Sequence, residues 1–253
     1  MTFDERLDKI KSLYIEGAKG SATAVQEANQ LSERLRLDYP DNPHVKAYHG
    51  SIMILIARDK KNPLEKLRWS KNGLKLLDKA VAAAPNDSQV RYLRGRSAFK
   101  LPEKHFQRTK TAIEDYSFLI DQELHQEGRL GAMGIDYSKL TYELGEAYSR
   151  IGRNEDAAKV WTKLEQQTED LELRQLLREQ LQSLEGKPAV EQIQANTGFV
   201  SILIGIAALT TGNLLVNIAG KGLKKTGLFQ APNKKNNINK EARGKPRNNK
   251  KRH

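Results

Sequence analysis

The 253-residue chain contains no cysteine. This absence excludes disulfide bonds, thiolate metal sites and cysteine nucleophiles, but it leaves the compartment open, because a chain without thiols is stable in any redox environment. The N-terminal sequence MTFDERLDKIKSLYIEG alternates charged and apolar residues. It lacks the continuous apolar core of a secretory signal peptide, so we expect no such signal.

Residues that usually carry catalysis or bind metals are also scarce. The i, i+4 histidine pair of a helical metal site does not occur. The stretch AGKGLKKTG is not a P-loop, because no glycine stands five residues before Gly220 and Lys221 is followed by glycine. We therefore expect no metal or other cofactor and predict that the protein is not an enzyme. The five histidines are His44, His49, His105, His125 and His253.

The formal net charge of +12 is concentrated near the C-terminal end of the chain. Residues 197–253 contain twelve Lys and Arg residues and one acid, Glu241, whereas residues 1–196 contain 31 basic and 30 acidic residues. The basic character therefore belongs to the tail. The first 196 residues have the balanced charge of an ordinary solvated surface.

The clearest internal pattern lies in residues 140–168, LTYELGEAYSRIGRNEDAAKVWTKLEQQT. A Leu-Gly pair ending at Gly145 is followed by Tyr148, then by Ala157 and Trp161. This spacing resembles a tetratricopeptide (TPR) repeat. Small residues at Gly145 and Ala157 allow two antiparallel helices to approach closely, and the two aromatic residues fill the groove between them.

Weaker copies of the same pattern precede this repeat. Pro40 and Pro85 are each followed ten residues later by a glycine, Gly50 and Gly95. This is the interval between the terminal proline of one TPR-like repeat and the small residue of the next. The corresponding positions on the second helices are Ala28, Gly73, Leu77, Ala112 and Tyr116.

These repeats predict an all-α domain of residues 1–186. It would contain three to four TPR-like helix pairs across residues 3–169, stacked as an antiparallel solenoid, with insertions around Pro102 and in RDKKNPLEK (residues 58–66). The leucine-rich residues 170–186 predict a helix that caps the last repeat. A generic helical bundle is the alternative.

The TPR resemblance implies a protein that binds a peptide or a partner helix in a concave groove. Arg91 and Arg94 lie one turn apart on a predicted first helix, and we expect them to bind a carboxylate or acidic segment of the partner. Tyr148 is a further predicted groove residue. The alternative is that both arginines are ordinary solvated side chains.

After a linker of residues 187–197, residues 198–220 carry no charge and are mostly apolar. As a helix they would extend about 34 Å, enough to cross a hydrocarbon core of ~30 Å. Polar residues within the segment make it a marginal span, so entry into one leaflet or burial against protein are alternatives. A seam of small residues predicts packing against another helix, including self-association: Ser201, Gly205, Ala208 and Gly212.

The basic tail, residues 221–253, is rich in Asn, Lys and Arg and is predicted to be disordered. We predict an adaptor associated with a membrane through residues 198–253, with its TPR domain in the cytoplasm. The alternative is a soluble subunit of a larger assembly, with the apolar helix on a partner and the tail on nucleic acid. Residues expected to bind anionic lipid or phosphate are Lys221, Lys224, Lys225, Lys234 and Lys235.

Overall fold

The computed structural model describes residues 1–187, and this part of the chain forms eleven helices and no strand. The predicted all-α class is therefore confirmed for the described residues. The helices are α1 (Phe3–Ala18), α2 (Ala22–Asp38), α3 (Pro43–Asp59), α4 (Pro63–Ala83), α5 (Ser88–Lys100), α6 (Glu103–Phe106), α7 (Thr109–His125), α8 (Arg129–Ala132), α9 (Tyr137–Arg150), α10 (Asn154–Gln167) and α11 (Leu171–Leu184).

Most of the long helices begin at a residue whose side chain caps the free backbone N–H groups of the first turn. Proline follows the cap at the first helical position of α3 and α4, where its missing N–H costs nothing. The sequence therefore encodes the helix starts locally. The capping residues are Thr2, Ser21, Asn42, Asn62, Asp87, Asp136 and Asp170.

The long helices pack as consecutive pairs, α1 with α2, α3 with α4, α5 with α7, and α9 with α10. Three of these pairs are joined by only three residues (19–21, 60–62 and 151–153), which makes the partners antiparallel. The first helices α1, α3 and α5 also contact one another in sequence, and each second helix packs on the next first helix. The described residues thus form a helical repeat-like arrangement of four pairs.

Glycines lie where the paired helices come closest. A Cβ atom on Gly50 would lie 2.7 Å from the carbonyl oxygen of Gly73, and one on Gly73 would lie 2.6 Å from that of Gly50. A Cβ on Gly145 would lie 2.1 Å from Nε1 of Trp161. The three glycines predicted at small positions therefore lie where the two helices of a pair come closest.

The two predicted insertions have different structures. The residues around Pro102 form the short helix α6 between α5 and α7. In residues 58–66, by contrast, only three residues lie outside helix, because Asn62 caps α4 and Pro63 begins it. The extra length of this repeat is taken up by the helices, and α4 reaches 21 residues.

Helix α11 packs against α10 at the end of the described chain. Leu176, Leu177 and Leu184 share a buried cluster with Trp161 of α10. Leu171, which belongs to the same leucine stripe, is 72% exposed. The helix ends at Leu184, shortly before a glycine with positive φ.

Only Lys187 of the predicted linker is described, and residues 188–253 lie outside the described part of the chain. The predicted apolar helix (198–220), its small-residue seam and the basic tail (221–253) are therefore not described. Within residues 1–187, no helix combines the length and the apolar character that a membrane span requires.

Candidate functional site

Aromatic and charged side chains of the first helices lie close together. The rings of Tyr14 on α1 and Tyr48 on α3 meet edge to face, with centroids 5.8 Å apart. On α5, the guanidinium carbon of Arg96 lies 5.9 Å from the ring centroid of Tyr92. Residues of α5 and α9 complete this group. We call it the first-helix site: Tyr14, Tyr48, Tyr92, Arg96, Lys100, Lys139, Glu143 and Glu146.

The tyrosines of the first-helix site remain neutral at physiological pH. Burial raises the pKa of Tyr14 to about 12, and the adjacent Arg96 guanidinium only partly opposes this. Burial likewise raises the pKa of Tyr92, again against the effect of Arg96. The site therefore holds a guanidinium cation beside neutral phenol groups, which can donate hydrogen bonds.

Glu143 connects three helices within the site. Its side chain on α9 is 2% exposed and accepts a hydrogen bond from the Tyr116 hydroxyl of α7 at 2.9 Å. The Nζ atom of Lys100 on α5 also donates to Glu143, at 3.4 Å. Because a buried carboxylate is stable only with such partners, Glu143 fixes the relative position of α5, α7 and α9.

Two further ionisable groups of the site are shifted toward their neutral forms. Burial raises the pKa of Glu146 to about 7, and the nearby Glu143 adds to this, while Lys100 and Arg150 oppose it. Burial lowers the pKa of Lys139, and Arg96 adds to that effect. Shifted pKa values of this kind cluster at functional sites more often than elsewhere.

The predicted groove arginines have carboxylate partners within the chain. Arg94 is 9% exposed and binds both oxygens of Asp115 on α7, each at 2.7 Å. Arg91 donates to Asp115 at 3.0 Å and to Glu114 at 2.7 Å. Their contacts therefore favour a role in joining α5 to α7 over the predicted role in binding a partner's carboxylate.

The position of Gly95 explains this placement. A Cβ on Gly95 would lie 2.8 Å from Asp115, so this side of α5 faces α7. Arg91 lies one turn before Gly95 and shares its side of the helix. Tyr92, Arg96 and Lys100 follow one another at intervals of four and lie on a different side. The sequence contains this second row, but nothing in its spacing distinguishes it from the row that includes Arg91 and Gly95.

Tyr148, the third predicted groove residue, is half-buried between α9 and α7. Its hydroxyl lies 3.5 Å from Ser117 Oγ, and the guanidinium carbon of Arg153 lies 4.7 Å from its ring centroid. The ring also packs against two of the hydrophobic clusters. The structure thus gives Tyr148 a packing role and does not bring it into the first-helix site.

The fold and the site together define a helical repeat-like all-α protein with a cationic and aromatic face on its first helices. A comparison with protein-family models found no matching family, and comparisons with curated proteins and with solved structures found no significant match. Among residues 1–187, no group of three or more His, Asp or Glu side chains is placed to hold a metal ion. The chemistry that the site offers is hydrogen bonding and ion pairing to acidic groups.

Proposed function

We propose that the protein is a non-enzymatic TPR-type adaptor that binds a protein partner on its first-helix site and is tethered to a membrane by residues 198–253. One observation supports the binding role above all. Three tyrosines and three cations from α1, α3, α5 and α9 are gathered where the first helices meet. Aromatic and arginine side chains are the residue types that dominate binding energy at protein interfaces.

In this proposal the four helix pairs form a solenoid, and the first helices line its concave surface. An extended acidic segment of the partner would lie across them. Its carboxylates would pair with Arg96, Lys100 and Lys139. The half-buried rings of Tyr14 and Tyr92 would pack against its apolar parts, with Tyr48 buried behind them. Glu143 would hold Lys100 in place, since their side chains are in contact.

The binding role is tested by removing positive charge from the site, and circular dichroism of each variant checks that the loss of the Lys100–Glu143 contact leaves the protein folded. We expect Lys100→Gln/Lys139→Gln to weaken capture of the partner from a native extract, and then to raise the Kd for the purified partner about tenfold, through loss of two ion pairs. The matched control is Lys159→Gln/Lys163→Gln, which removes the same charge from the exposed face of α10. If both variants retain the same partners with equal affinity, the first-helix site is not the binding surface.

The membrane tether rests on the sequence of residues 198–220 and on the twelve basic residues that follow Gly220. The seam of Ser201, Gly205, Ala208 and Gly212 would pack this helix against a second helix, and Lys221 with its neighbours would contact anionic lipid.

A second candidate is favoured by the same basic tail, since its charge also suits nucleic acid phosphates. In that case the protein is a soluble subunit of a larger assembly, and its apolar helix packs on a partner. Co-sedimentation with nucleic acid that is lost after nuclease treatment, and also after deletion of residues 221–253, would support this candidate against the tether.

A further inference from the structure

Helix α4, the second helix of the α3–α4 pair, carries a row of exposed lysines. Lys71, Lys75 and Lys79 follow one another at intervals of four residues, so they lie on one face at steps of ~6 Å. None of the three forms an ion pair with any residue among 1–187. Three like charges in one row repel one another, so this surface is suited to an anionic ligand.

A cleft of about 530 Å³ lies on one side of the lysine row, between α4 and α6. Leu74, Ala82 and Phe106 provide its apolar lining, and two further basic residues, His105 and Arg108, stand beside the lysines. The one acid that lines the cleft is Asp78, and it already pairs with Arg108 and Arg94. The cleft is therefore apolar within and cationic around its edge.

A second cleft, of about 340 Å³, lies on the other side of the row, and Lys75 and Lys79 line both clefts. Its lining includes Met53, Trp69 and Leu76, and one acid, Glu33. The two clefts with the lysine row between them form one continuous surface, which we call the α4 surface.

The second cleft also contains polar groups that have no partner. His49 is 4% exposed, and burial, followed by the charge of Arg36, lowers its pKa to about 4. Its Nδ1 atom accepts a hydrogen bond from Arg36 Nε at 3.1 Å, so the ring is neutral and its proton lies on Nε2. No residue among 1–187 accepts from that N–H, and the buried Oδ1 atom of Asn29 is likewise unpaired.

We propose that the α4 surface binds an acidic segment of a protein partner, with apolar side chains of that segment seated in the two clefts. The carboxylates of the segment would pair with Lys71, Lys75 and Lys79, and one carboxylate would accept a hydrogen bond from the Nε2–H group of His49. The apolar linings favour a peptide over other polyanions. Nucleic acid phosphates and lipid headgroups would meet the lysines but would leave Leu74, Phe106 and Leu76 without a partner. This surface is separate from the first-helix site, so the two proposals stand or fall independently.

Trp69 provides a local signal for the test. It is half-buried in the second cleft, whereas Trp161, the second tryptophan of the chain, is 1% exposed and should respond little. The full chain is titrated at about 0.15 M salt, where distant charges are screened. The probes are a synthetic peptide of alternating Glu and Phe, a Glu-Gly peptide of equal charge and a Gln-Phe peptide of equal apolar content.

We expect only the Glu-Phe peptide to give a saturable change in Trp69 fluorescence, which Trp69→Phe abolishes. Lys75→Gln/Lys79→Gln should weaken this binding about three- to tenfold, because two ion pairs are lost. Lys159→Gln/Lys163→Gln, with the same spacing and charge change on α10, should bind like the wild type. Cooperative thermal unfolding checks that each variant is folded.

Several outcomes would overturn the proposal. Equal binding of the Glu-Gly peptide would mean that the surface attracts any polyanion, and equal weakening by the two double variants would mean that net charge alone is responsible. Tighter binding of a single-stranded oligonucleotide, or of vesicles of mixed phosphatidylserine and phosphatidylcholine, with the same dependence on Lys75 and Lys79, would assign the surface to nucleic acid or to a membrane. Absence of any saturable change would leave the α4 surface without a peptide ligand.

Discussion

The carboxylate of Asp115 shows how strongly a single residue can hold two helices together. Asp115 is fully buried on α7, and its oxygens are bound by two guanidinium groups of α5, those of Arg94 and Arg91. Without Arg94 the buried carboxylate keeps only the hydrogen bond from Arg91, and a buried charge that is so poorly paired costs more than the full pair contributes. The junction between α5 and α7 should therefore depend on Arg94.

We predict that Arg94→Met lowers the free energy of unfolding by about 3–5 kcal/mol, because the Asp115 carboxylate loses its two-point partner. Urea denaturation followed by circular dichroism measures the loss. Arg178→Met is the matched control, because Arg178 pairs with Glu165 at the surface and its removal should cost less than ~1 kcal/mol. The double variant Arg94→Met/Asp115→Leu should recover most of the stability. Equal small losses in both single variants would show that the buried pair is not important.

Glu146 should make stability depend on pH in a defined direction. Burial, aided by Glu143, raises the pKa of its carboxyl from 4.5 to about 7, so the folded state holds the proton more tightly than the unfolded state. The stability that this proton provides is fully present below pH 4.5 and is lost as the pH rises to about 7.

We therefore predict that Glu146→Gln matches the wild type near pH 4.5 and is more stable by about 1–3 kcal/mol above pH 7, a range reduced for partial solvent access. Urea denaturation across this pH range measures the difference between the two proteins. The variant has to be compared with the wild type because His49 is present in both proteins. Its pKa is lowered to about 4, so its contribution to stability changes with pH in the opposite sense to that of Glu146. A stability difference between Glu146→Gln and the wild type that stays constant across this pH range would refute the prediction.

At the scale of helices, the close approach of α9 and α10 depends on Gly145. We predict that Gly145→Ala destabilises the protein by about 2 kcal/mol, since overpacking against the Trp161 ring costs ~3 kcal/mol and the better helix propensity of alanine returns ~1 kcal/mol. The clash also disturbs the hydrogen bond from Trp161 Nε1 to the Tyr142 carbonyl oxygen.

Thermal unfolding of Gly145→Ala is best compared with that of Gly131→Ala. Gly131 lies in α8, and a Cβ there meets no atom within 4 Å, so its substitution should be neutral or slightly stabilising. Equal unfolding temperatures for the two variants would contradict the prediction. They would mean that α9 and α10 can move apart to admit the extra methyl group with little loss of stability.

These elements also show how much of the structure could be predicted from the sequence. The helix pairs could be predicted because caps, prolines and the contact glycines Gly50, Gly73 and Gly145 act through local spacing. The site could not, because its partners are distant in sequence. Glu143 binds Lys100, which lies 43 positions earlier, and Asp115 binds Arg94 across a helix pair. No local pattern reveals which arginine finds a carboxylate on the neighbouring helix.

At the scale of the whole molecule, charge and apolar character are divided between two parts of the chain. Residues 1–196 are nearly balanced in charge, while almost all the net charge follows the apolar segment 198–220. Helix α11 ends at Leu184, so a chain cut after Lys187 loses none of the described contacts and should still fold. The proposed tether, residues 198–253, can therefore be removed without loss of any contact among the described residues.

We predict that the full chain sediments with membranes and that the chain cut after Lys187 stays in the supernatant. Release of the full chain by high salt or carbonate would assign the attachment to the basic tail on anionic headgroups, whereas release by detergent alone would assign it to the apolar segment. Circular dichroism of the truncated chain provides the control for folding. If the full chain also remains in the supernatant without detergent, the tether proposal is wrong, and packing of the apolar residues 198–220 against protein becomes the favoured alternative.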